Sequence, residues 1–101
     1  MKMKAITKRK EWTTKEVQQV ATLYMKMQAH DAKGEHFVKS HMTKPLAEKL
    51  GRSVPSIECK MMNISHVLNV HGIQWLRGYK PLANVNSAMF KQLVRQFNLE
   101  S

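Results

Sequence analysis

Eleven candidate contacts, of side-chain types that grip a polyanion, fall in three places in this sequence. Lys8, Arg9 and Lys10 close the N-terminal stretch MKMKAITKRK, which with Lys2 and Lys4 holds five cations and no acid. Arg52, Ser53, Ser56, Lys60, Asn63 and His66 lie close together in GRSVPSIECKMMNISH, and Arg77 and Lys80 flank Tyr79 in QWLRGYKP. Ammonium and guanidinium groups pair with phosphate oxygens whatever the base, whereas hydroxyl and amide groups carried on a helix reach base edges. The pattern predicts a nucleic-acid contact surface, with Arg52 on phosphate and Ser56 and Asn63 presented towards bases beside Lys60.

Other chemistries fit the residues poorly. Five histidines (His30, His36, His41, His66 and His71) and Cys59 are the zinc-type ligands, but they form no CxxC pair and no HExxH helix. Seven acids are scattered along the chain without the paired carboxylates that hold catalytic magnesium, and no glycine-rich phosphate loop occurs. The expectation is therefore a chain without enzymatic activity, metal or cofactor.

Charge points the same way. Seventeen Lys and Arg against seven Asp and Glu give a formal net charge of +10, of the sign a nucleic acid attracts and opposite to that of a DNA-mimicking decoy. A single cysteine forms no internal disulfide and fits a reducing compartment, so the cytoplasm is expected. No apolar segment follows the basic N-terminus as in a signal peptide, and no run approaches the length of a membrane span.

The elements that must position these groups are helical. With 101 residues, 43% of them apolar, the chain buries one core, so the expected organisation is a flexible basic arm over 1–11 and a single all-α domain over 12–101. Thr13 and Glu16 form a capping box for a first helix, with Trp12 just before the cap and Val17, Val20, Ala21, Tyr24 and Met27 as its apolar stripe. Gly34 stops it, and a polar stretch crosses the surface. Thr43 is the candidate cap of a short second helix with Pro45 in its first turn; Leu46, Ala47 and Leu50 face the core and Gly51 allows the reversal. Ser53 then caps a helix from about 54 to 70, with Pro55 in its first turn and Ile57, Met61, Ile64 and Leu68 turned inward. This is a helix-turn-helix pattern within a three-helix core. The opposite and flanking faces of its second helix present Ser56, Cys59, Lys60, Asn63 and His66 outward.

Trp75, Leu76 and Tyr79 are too apolar for a free linker, so the segment between the third and last helices is expected to fold onto the core as an ordered loop. Arg77 and Lys80 then either contact a backbone or extend into water while the aromatic groups pack. Ser87 is read as the cap of a C-terminal amphipathic helix whose face of Met89, Phe90, Leu93, Val94 and Phe97 closes the core or makes a dimer.

Two resemblances rest on these motifs. WTTKE followed by LAEKLGRSVPSIECK resembles the Myb/SANT-like three-helix layout over residues 12 to about 70. LGRSVPSIECKMMNISHVL with GIQWLRGYKPLANVN is similar to a bacterial and phage module found ahead of HNH-type and other restriction-like nuclease domains. The likeness implies target binding, not nuclease activity. The expected partner is therefore nucleic acid, most simply duplex DNA, bound by a monomer or homodimer. The alternative is a small phage- or defence-associated factor that binds and modulates an enzyme or assembly, through salt-tolerant contacts around Trp75 and the last helix.

Overall fold

Thr13 opens the first helix as its local chemistry requires. Its hydroxyl accepts from the Glu16 amide at 3.1 Å, and the Glu16 carboxylate accepts from the Thr13 amide at 3.0 Å, so two otherwise orphaned donors are satisfied reciprocally. In the computed structural model, which describes residues 11–100, this helix is α1 (Thr14–Ala32), followed by α2 (Lys39–Leu50), α3 (Val54–Val70) and α4 (Ser87–Gln96). The described residues contain no strand, and the architecture is all-α. The expectations for Lys8, Arg9, Lys10 and the rest of the arm up to residue 10 lie outside the described residues.

α1 and α3 pack on each other, and α2 and α4 each pack on both but not on one another. The anticipated stripes meet at the centre: Val17, Val20, Ala21, Tyr24 and Met27 from α1 and Ile57, Met61, Ile64 and Leu68 from α3 are all buried. The apolar side of α4 closes this core through Leu93 and Met89. Gln92 and Gln96 pin α4 to α1 by donating to the Thr14 and Gln18 carbonyls at 2.8 and 3.1 Å.

α2 departs from the sequence expectation. It begins at Lys39 with Val38 as a cap that makes no side-chain hydrogen bond, so Thr43 is no cap and Pro45 lies inside the helix instead of in its first turn. Thr43 is fully buried and donates back to the Lys39 carbonyl at 3.2 Å. Packing is the physical reason: Met42, Leu46 and Leu50 recur every fourth residue and are half-buried against the core, and that strip outweighs one missing N–H. The last helix is likewise capped one residue earlier than expected, by Asn86, whose side chain accepts from the Met89 amide at 2.8 Å. α2 ends at Gly51, whose φ of 66° is the left-handed conformation that glycine adopts without strain.

The loop between α3 and α4 is ordered. Leu76 and Tyr79 are buried, and the Leu82 amide donates to the Met62 carbonyl at 3.0 Å. Arg77 and Lys80 are exposed while Tyr79 is buried. Lys39 reaches across from α2, its ammonium 4.9 Å from the centroid of the Tyr79 ring and occupying the space a side chain at Gly78 would need.

The Tyr79 hydroxyl is buried with no hydrogen-bond partner among the described residues. Burial, then the charge of Glu58, then Tyr24 push its pKa up to about 12. Because the folded state favours the neutral phenol, this contribution to stability is complete below the ordinary value of 10 and is lost as pH rises from 10 through about 12. Tyr79→Phe is expected to leave the neutral-pH melting temperature unchanged or raised and to reduce the alkaline loss. Circular dichroism melts across that range check it, and an alkaline profile identical to the parent's contradicts the assignment.

Candidate nucleic-acid interface

Three residues connect α2 to α3. After Gly51, the Arg52 amide bonds back to the Ala47 carbonyl at 2.9 Å, and Ser53 caps α3. The Ser53 hydroxyl accepts from the Ser56 amide at 3.3 Å, while the Ser56 hydroxyl donates to the Ser53 carbonyl at 2.7 Å. Pro55 occupies the first turn, where its lack of an N–H is harmless.

Two open grooves meet at this end of α3. The first, of about 490 Å³, runs from Gly51, Ser53 and Ser56 past Cys59 to Trp12 and Lys60. The second, of about 640 Å³, shares Trp12 and Lys60 and continues past Glu11 and Thr14 to Asn86, Gln92 and Arg95. The α3 start therefore borders the first groove and the α1 and α4 starts the second, an adjoining pair that shares Trp12 and Lys60 and forms the trough, and each start carries the partial positive charge of its helix. Lys60 sits at the junction, its ammonium 5.4 Å from the Trp12 ring centroid and 3.5 Å from the Asn63 side-chain oxygen.

Of the predicted contact residues, the structure brings Ser53, Ser56 and Lys60 together along this trough. Arg52 also borders it but is held elsewhere, which corrects its reading as a phosphate contact. Its Nε and Nη2 donate to the two Glu16 carboxylate oxygens at 3.1 and 2.9 Å. Nη2 also donates to the Glu11 carbonyl at 2.8 Å, and the guanidinium lies 4.0 Å from the Trp12 ring centroid. The ion pair is shielded, with side-chain exposures of 8% for Arg52 and 11% for Glu16.

Asn63 is the second correction. Expected on the accessible side of α3, it is 0% exposed. Its amide nitrogen donates to the Leu82 carbonyl at 2.8 Å and to the Asn84 side-chain oxygen at 3.0 Å. The cause is the returning loop, which lies over α3 beyond Lys60. His66 stands six residues further along α3, about 9 Å by helical rise. It is half-buried, with its ring edge-on to Phe90 at 6.2 Å, away from the trough. Arg77 and Lys80 are exposed on the loop and border neither groove.

Sequence reasoning missed Arg95 and Asn86 as groove residues and Glu16 as the partner of Arg52. Helical spacing puts Arg95 on the side of the last helix away from Met89 and Leu93, but which neighbours that side meets is not a local property. Among the described residues, no three of the His, Cys, Asp and Glu side chains gather closely enough to hold a metal ion. Nor, among the described residues, is any helix long and apolar enough to cross a membrane. Compared with protein-family models, with curated proteins and with solved structures, the chain matches none.

Proposed function

We propose that this chain is a non-catalytic nucleic-acid-binding module that sets the open start of α3 and the trough around Lys60 against the backbone of duplex DNA. The observation that carries the reading is the placing of three helix starts and Arg95 along two adjoining grooves that share Lys60, in a chain of net charge +10. The close α2–turn–α3 connection supports a helix-turn-helix mode of docking, with Ser53 and Ser56 at the end of α3 that approaches the duplex. The cations of residues 1–10 add to the positive potential.

A salt series with duplex DNA, duplex RNA and single-stranded DNA tests this. Affinity for duplex DNA is expected to be the strongest and to fall linearly in log–log form with salt. Lys60→Gln should reduce the slope by about 1. Deleting residues 1–10 should flatten it further, by about 0.9 for each phosphate no longer neutralised. A slope unchanged by the deletion assigns those residues to solubility, and affinity indifferent to salt overturns the reading.

The protein-interaction alternative retains one observation. Val70 and Ile73, exposed at 57% and 40%, lie close in sequence to half-buried Trp75, whereas Met89 and Leu93 of α4 are committed to the core. That reading requires a salt-tolerant complex lost on Ile73→Ser while duplex affinity is unchanged.

A further inference from the structure

We propose that the trough holds the duplex by its backbone without reading base sequence, an inference that rests on the nucleic-acid reading above. Base edges are read chiefly by Arg, Lys, Asn and Gln, with contributions from hydroxyl groups and carboxylates, when their polar atoms are free to enter a groove. Around this trough most of those atoms are already engaged. The Arg52 guanidinium is held by Glu16, the Glu11 carbonyl and the Trp12 ring. The Asn63 amide is enclosed by Leu82 and Asn84, and the Gln92 amide donates to the Thr14 carbonyl. The two serine hydroxyls at the start of α3 are each half committed to its cap, Ser53 as acceptor and Ser56 as donor.

The depth of approach is limited as well. A reading helix sends three or four side chains to base edges from its outward face. On α3 that face ends near Lys60, because the Leu82 amide bonds to the Met62 carbonyl and the loop lies over the next turn. The segment from Val54 to Lys60 rises only about 9 Å. Its groups that line the trough are Pro55, Ser56, Cys59 and Lys60, of which only the Lys60 ammonium is a strong donor not used in a cap. Lys60 and Arg95 are point and fork donors for phosphate oxygens, which are the same at every base pair.

The test is a selection with the full chain from duplexes of random sequence, followed by competition between the best-enriched duplex and an unrelated one of equal length. The expected result is no enriched motif and competitor midpoints within about three-fold of each other, far below the 10³ or more typical of sequence-specific proteins. Lys60→Gln should weaken all duplexes by the same factor. A motif preferred by more than about ten-fold, or a Lys60→Gln effect confined to one base pair, overturns the inference while leaving the nucleic-acid reading intact. Absence of binding to any duplex at low salt overturns the nucleic-acid reading itself, so the two failures are distinguishable.

Discussion

Arg52→Ala is expected to destabilise the fold by about 3–5 kcal/mol, the range found when one partner of a buried ion pair is removed. A pair exposed to water would contribute about 1 kcal/mol or less. Exposures of 8% and 11% place this one in the shielded class. Removing the guanidinium leaves the Glu16 carboxylate without this cation in a site sized for it, strips the Trp12 ring of its cover and leaves the Glu11 carbonyl without this donor. The damage is also non-local, because this one side chain ties the α2–α3 turn to the start of α1, 36 positions earlier. Arg52→Lys keeps the charge but not the two-pronged geometry, so an intermediate loss is expected. Urea denaturation of Arg52→Ala, Glu16→Ala and the double variant checks the account. The double variant should lose clearly less than the sum of the singles, and strict additivity with small single effects would show the pair to be incidental.

Tyr24→Ala is the other large effect, about 3–5 kcal/mol from the cavity left by a fully buried ring. The Tyr24 ring lies 5.9 Å edge-on from Phe97 and 6.4 Å from Tyr79, so both of these rings lose a neighbour. Its hydroxyl adds a separate contribution. It shares a 2.8 Å hydrogen bond with the Ser65 hydroxyl on α3 and accepts from the Leu76 amide of the loop at 2.8 Å. Burial raises the Tyr24 pKa, while those two bonds oppose the shift. Tyr24→Phe keeps the ring and removes both bonds, for an expected loss of about 1–3 kcal/mol because buried groups are left unpaired. At about 4–8 °C per kcal/mol for a domain of this size, thermal melting resolves the two substitutions. Hydrogen exchange at Leu76 separates the mechanisms: its protection should fall in Tyr24→Phe, and an unaltered rate would show that the loop does not depend on this hydroxyl.

These two residues mark the boundary of what was legible before the structure. The α1 stripe, its capping box, the left-handed Gly51, the Ser53 cap and the inward positions of α3 were all readable. Each depends on groups within one or two helical turns of each other, and helical periodicity relates them directly. The buried position of Tyr24 followed from the same stripe; its hydroxyl partners, 41 and 52 positions away, did not. The start of α2 was misplaced for a related reason. Thr43 and Pro45 are the residue types that mark a helix start, yet the half-buried strip of Met42, Leu46 and Leu50 extends the helix back to Lys39.

The candidate site divides in the same way. Sequence by itself determined the all-α class, the inward faces of α1 and α3, the sign of the charge and the grouping of Ser53, Ser56 and Lys60 at one helix end, because all of these are properties of composition or of short helical spacing. Only the tertiary structure decided that Arg52 is a tie between elements and Asn63 an interior anchor. A polar side chain beside an apolar stripe faces outward by periodicity alone, and it turns inward when a distant carboxylate or carbonyl supplies the hydrogen bonds that burial demands. Glu16 does this for Arg52, and Leu82 and Asn84 do it for Asn63.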